Sequence, residues 1–155
     1  MIELSELLSP GAVVLDLKAG SKRQVLRALA DRAAEAHGLD AAPVLEALLE
    51  REKLGTTGIG GGLAIPHAKL AGLDQLVGVF ARLQTPVSFE ALDDEPVDLV
   101  FLLLAPTEAA ADHLKALAWV ARVFRNEALC RALREATEPG AAFELLTGRR
   151  EPRAA

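Results

Sequence analysis

The chain has 155 residues, 51% hydrophobic and 25% charged, with 17 basic against 22 acidic side chains and a net charge of -5. That suits one folded domain, residues 1–155, with its own core, and excludes a disordered chain; the acidic balance leaves no basic footprint for nucleic acid or anionic lipid. The lone Cys130 excludes an intrachain disulfide or a cysteine metal cluster and fits a reducing compartment.

The opening "IELSELLSPG" has neither the basic nor the apolar region of an export signal. No apolar run approaches the roughly 20 residues of a membrane span, so a cytoplasmic protein without membrane insertion is expected. "AVVLDL" reads as a first strand. Residues 21–37 place Val25, Leu26, Leu29, Ala30 and Ala33 on one helical face, with Ser21 and Gln24 as a capping-box pair and Gly38 as the stop. Asp40 is expected to cap a second helix through Lys53, striped by Val44, Leu45, Leu48 and Leu49. Three strands follow: "LAIP", "QLVGVFARLQ" at 75–84, and "VDLVFLLLA" at 97–105, whose unbroken apolar run marks a strand covered on both faces. "DDEP" at 93–96 is a turn. Leu114, Leu117, Ala118, Ala121 and Phe124 set the period of a helix over 112–124; Asn126 caps another carrying Leu129, Cys130 and Leu133, and a short helix covers 140–147. The order is strand, two helices, three strands, three helices. It predicts an α/β fold, a three-layer α/β/α sandwich around a mixed sheet, because consecutive strands without intervening helices must pair antiparallel at least in part.

The unusual stretch is "GTTGIGGGLAIPHAKL", residues 55–70, with five glycines and two threonines before Pro66-His67. It fails the dinucleotide pattern, since Leu63 or Ile65 stands where the last Gly or Ala belongs, and the phosphate-loop pattern, since Lys69 follows the histidine. His37, His67 and His113 have no metal-ligand spacing, so a metal site requires His67, His113 and a carboxylate to meet in space. The remaining chemistry is attack on phosphorus by a neutral His67 through one bare ring nitrogen, the other held as N–H by an acceptor. Asp16, Glu52 and Asp98 are open choices for that orienter. Glycine amides at Gly58 and Gly60 and the hydroxyls of Thr56 and Thr57 are candidate phosphoryl-binding groups. Pro66 stiffens the backbone entering His67. The plainer alternative is a tight surface turn with His67 as an ordinary polar residue at a strand end.

Arg51, near the end of the second helix, is either a solvated cation or a planar fork for phosphoryl oxygens. His113 lies in an apolar arc with Leu117, Val120 and Phe124. It is either a satisfied core histidine or, kept neutral at a helix N-terminus, a donor to the phosphoryl group or an orienter of His67. His37, before Gly38, reads as a helix-end charge, and Trp119 as packing area.

"REKLGTTGIGGGLAIPHAKL", Arg51 to Leu70, resembles the active-site signature of enzyme IIA domains of the mannitol/fructose class in the phosphoenolpyruvate-dependent phosphotransferase system. "LSELLSPGAVVLDLKAGSKRQVLRALADRAAE", "FARLQTPVSFEALDDEPVDLVFLLLAP" and "HLKALAWVARVFRNEALCRALREA" occur in the order of its nitrogen-regulatory branch, so the resemblance spans roughly residues 2–147. Ala68 stands where relatives often have glycine and Gly61 where many have asparagine. The resemblance implies a three-layer sandwich and phosphoryl uptake on His67, at Nε2, from the phosphohistidine of an HPr-like carrier. It also implies active-site roles for Arg51 and His113, no cofactor, and regulatory partners such as potassium-transport proteins or sensor kinases. Transport of sugar through a IIB domain, and a binding module without phosphotransfer, are the alternatives.

Overall fold

A computed structural model describes residues 3–150; the remaining ends of the expected 1–155 domain lie outside the described residues. A short helix α1 (Leu4–Leu7) and a 3₁₀ turn (Pro10–Ala12) lead into β1 (Val13–Leu17), followed by α2 (Lys22–His37) and α3 (Ala41–Lys53). Then come β2 (Gly58–Gly60), β3 (Leu63–Ala64), β4 (His67–Leu70), β5 (Val77–Val87) and β6 (Val97–Pro106), and finally α4 (Ala110–Val123), α5 (Glu127–Glu135) and α6 (Pro139–Leu146). The sheet runs β1-β5-β6-β3-β2, with β4 also on β6. It is mixed: β1 is parallel to β5, β5 antiparallel to β6, and β3 and β4 parallel to β6. Helices cover both faces, α2 and α3 packing on each other and on β5 and β4, and α4 and α6 on β6 and β1.

Local chemistry explains the elements. Ser21 Oγ accepts from Gln24 N at 3.2 Å, Gly38 takes the left-handed conformation that ends α2, and Asn126 caps α5 by accepting from Leu129 N at 3.1 Å. Three expectations are corrected. Asp40 makes no side-chain cap bond. Leu114 and Ala118 face outward, because α4 buries His113, Ala116 and Val120 instead. The expected strand at "LAIP" shortens to β3, and the hairpin strand β2 before it and β4 after it are further strands; Pro66 has no N–H for the ladder, and pairing with β6 resumes at His67.

Residues 99–105 of β6 are buried throughout, as the apolar run requires. Phe80 and Phe101, opposite each other in the β5–β6 ladder, both meet Phe124, with ring centroids 6.1 and 5.9 Å away. Gly78 lies beneath the Phe101 ring: a Cβ there would stand 2.9 Å from two ring carbons. Alanine in a strand ordinarily gains about 0.5–1 kcal/mol over glycine. Here the fully buried ring cannot yield, so Gly78→Ala is expected to lose about 1–3 kcal/mol by overpacking. Equilibrium denaturation checks this, and an unchanged midpoint would contradict it.

Candidate functional site

His67 opens β4, the second of two short strands on one edge of β6, and pairs with Leu103. Its half-buried ring has a partner at each nitrogen. Nδ1 lies 2.8 Å from the Ile65 carbonyl oxygen, and Nε2 accepts from Arg51 Nε at 3.1 Å. A carbonyl only accepts and a guanidinium only donates, so the tautomer follows: the proton is on Nδ1 and the lone pair on Nε2. The orienter left open by the sequence is therefore a backbone carbonyl. Asp16 pairs with Arg82, Asp98 with Arg134, and Glu52 with Lys22. The expected bare nitrogen is also corrected, because the Nε2 lone pair is capped by Arg51, which must let go before that nitrogen can attack.

Arg51 sits in the last turn of α3, and its Nη1 donates to Gly55 O at 3.0 Å, so the side chain bridges the loop and the imidazole. His113, in the first turn of α4 and 6% exposed, meets His67 edge to face, with centroids 5.5 Å apart and planes at 71°. Its buried Nε2 has no hydrogen-bond partner among the described residues. Elements from both helical layers thus meet at one imidazole. His37 lies apart from them and donates from Nε2 to Gly78 O at 2.9 Å, tying the end of α2 to β5. The half-buried Trp119 packs against the core, its indole N–H without a partner among the described residues.

The glycine stretch is held by bonds within the chain. Gly60, Gly61 and Gly62 all have positive φ and form the tip of the β2–β3 hairpin. Asp93 accepts from Gly61 N, while Arg134 donates to Gly61 O and holds Asp98. The left-handed backbone favours glycine at Gly62, and a Cβ there would also displace the Arg134–Asp98 pair, standing 2.7 Å from Arg134 Nη2 and 2.8 Å from Asp98 Oδ1. Thr56 Oγ1 donates to Phe89 O and accepts from Gly58 N, and the N–H and hydroxyl of the buried Thr57 donate to Glu52 at 3.1 and 2.5 Å. Phosphoryl contacts from Thr56, Thr57 and Gly58 would compete with these internal bonds. Gly60 lies against the Asp93 carboxylate, which disfavours an anion.

Burial holds the His67 imidazole below its ordinary pKa; the Ile65 carbonyl opposes this, the Arg51 charge adds to it, and the Glu52 charge opposes it. Burial also lowers His113, with the neighbouring His67 and Lys69 charges acting in the same direction. Well above the ordinary imidazole value of about 6.5, both rings are neutral in the folded and unfolded chain alike. As pH falls through that value the unfolded chain takes up protons first, so stability is expected to decline toward the lower folded pKa values. The denaturation midpoint should therefore fall between about pH 7 and pH 5.5, above the carboxylate range, and His113→Phe should flatten the slope. A midpoint independent of pH there would contradict both assignments.

A neutral nucleophilic nitrogen at a sheet edge, faced by a guanidinium and a second neutral imidazole, defines a histidine site suited to taking up a phosphoryl group. Residues 6–148 match the family model described as phosphoenolpyruvate-dependent sugar phosphotransferase system, EIIA 2, and the chain belongs to that family. It is 50% identical over 143 residues to a nitrogen regulatory protein of Bradyrhizobium diazoefficiens, covering 92% of this chain and 94% of the relative. It is 40% identical over 148 residues to the one from Escherichia coli, covering 94% and 90%. The crystal structure of nitrogen regulatory protein IIA-Ntr from Neisseria meningitidis superposes with a TM-score of 0.86 at 37% identity, over 93% of this chain and 99% of that one. Among the described residues no helix is long and apolar enough to cross a membrane, and no group of three or more His, Cys, Asp or Glu is placed to hold a metal.

Proposed function

We propose that the chain, acting as one domain in the cytoplasm, is a regulatory phosphoryl carrier. His67 Nε2 takes a phosphoryl group from the phosphohistidine of an HPr-like carrier, and the free and phosphorylated forms bind different proteins. The observation that carries this reading is the fixed tautomer, with Nδ1–H on Ile65 O and the lone pair at Nε2 beside Arg51. In the transfer the lone pair forms the new N–P bond while the donor's N–P bond breaks, its electron pair returning to the donor imidazole. The proton on His67 Nδ1 stays where it is. Arg51 exchanges Nε2 for phosphoryl oxygens, which a planar fork suits. A neutral His113, whose Nε2 has no partner among the described residues, donates to the same group in its Nε2–H tautomer. A gain of about -1.5 to -2 charges at this surface is enough to make or break a protein contact.

The regulatory output is supported by the names of the relatives at 40–50% identity, and potassium-transport proteins and sensor kinases are the target classes to try first. Incubation with phosphoenolpyruvate, enzyme I and an HPr-like carrier should give an acid-labile, base-stable phosphoprotein; no label would leave only a binding module. Fast onward transfer to a IIB domain would instead make the chain a sugar-transport component.

A further inference from the structure

The buried Glu52 is poorly placed for stability. It lies in the last turn of α3, where the helix end disfavours an anion, and its side chain is 8% exposed. Lys22 Nζ from α2 meets Oε1 at 2.7 Å, and Thr57 supplies two more donors, so the charge is satisfied. Replacing the whole Glu52–Lys22 pair by apolar side chains of similar volume is often neutral or stabilising, which asks what the carboxylate achieves. The two bonds to Thr57 carry its effect onward to His67. The carbonyl of the clamped Thr57 accepts from Ile65 N at 3.0 Å, and the Ile65 carbonyl accepts from His67 Nδ1.

We propose that Glu52 and Thr57 are positioning residues for His67. Glu52 holds Thr57, Thr57 O holds Ile65, and Ile65 O holds the imidazole as its Nδ1–H tautomer with Nε2 turned toward Arg51. Glu52 thus does through backbone what a carboxylate often does to a histidine directly. Pro66 limits how Ile65 can re-orient, so the relay has little slack. The functional side of this inference rests on His67 being the phosphorylated residue; the structural side does not.

The test separates the two. Nitrogen-15 histidine correlation spectra of the free protein read the His67 tautomer, and single-turnover transfer from a phosphorylated HPr-like carrier reads the rate. Thr57→Val keeps the shape and the Glu52 charge but removes the hydroxyl donor. It should mix the His67 tautomers and slow transfer at saturating donor by about 10- to 100-fold, as small misplacements of reacting groups do, with the half-saturating donor concentration unchanged. Thr57→Ser should restore both readouts. Glu52→Gln should move them in the same direction as Thr57→Val, and decides the matter if the valine variant does not fold. A wild-type tautomer signature in folded Thr57→Val or Glu52→Gln would overturn the relay, whatever happens to the rate. If the wild-type protein takes up no phosphoryl group, the carrier reading fails while the tautomer spectra still decide the relay.

Discussion

His67→Ala is expected to take up no phosphoryl group at all while folding as the wild type does. On the proposed reading the loss is complete, because the nitrogen removed is the one that would form the covalent bond and no weaker route to the same product remains. His37 spends its Nε2–H on Gly78 O beneath the sheet, and His113 is buried, so neither imidazole is a ready substitute. The fold should survive because the His67 ring is only half-buried, and its two hydrogen bonds go to a backbone carbonyl and to the Arg51 side chain. Phosphorylation from the HPr-like carrier, with a thermal melt as control, checks both halves. Label persisting in the variant would move the site elsewhere.

Arg51→Ala should slow transfer by about 10- to 100-fold, a net of two opposed effects. Losing the guanidinium removes a group facing charge that develops on the phosphoryl oxygens, and comparable donors are worth about 2.7–4 kcal/mol. It also uncaps Nε2, which returns about 0.5–1.5 kcal/mol that the wild type spends breaking that hydrogen bond. The first effect is larger, so transfer slows. The variant should also titrate His67 at higher pH, since the Arg51 charge helps hold it down. Because the ring is already neutral near pH 7.5, that shift adds little to the rate there. Unchanged kinetics would return Arg51 to the role of a solvated helix-end cation. Its bond to Gly55 O is exposed, so little stability is at stake.

The parts legible in the sequence were those whose signal is a side-chain pattern. α2 has its stripe, cap and terminal glycine, β6 its unbroken apolar run, and Arg51 and His67 stand at the two ends of one continuous stretch. His113 was visible as a polar residue in an apolar arc, and the structure places all three together. What was hidden depends on backbone. The acceptor that fixes His67 is the Ile65 carbonyl, and no residue type announces a carbonyl; the hint was the I-P-H order, in which Pro66 restricts the chain between acceptor and ring. The glycine stretch pointed to amides around an anion, yet its turn is built on Asp93, Asp98 and Arg134, each remote in sequence. Helical spacing alone puts Leu114 in the stripe, since it does not say which of two adjacent arcs turns inward, and the sheet turns the His113 arc.

The most direct measurement is the phosphorus–nitrogen connectivity of the phosphorylated protein, read by phosphorus-31 and nitrogen-15 spectra after histidine labelling. A single phosphoryl group coupled to Nε2 of His67, with Nδ1 still protonated, is the expected result. Phosphorus on Nδ1 of His67, on His113 or His37, or on a hydroxyl of Thr56 or Thr57 would contradict it.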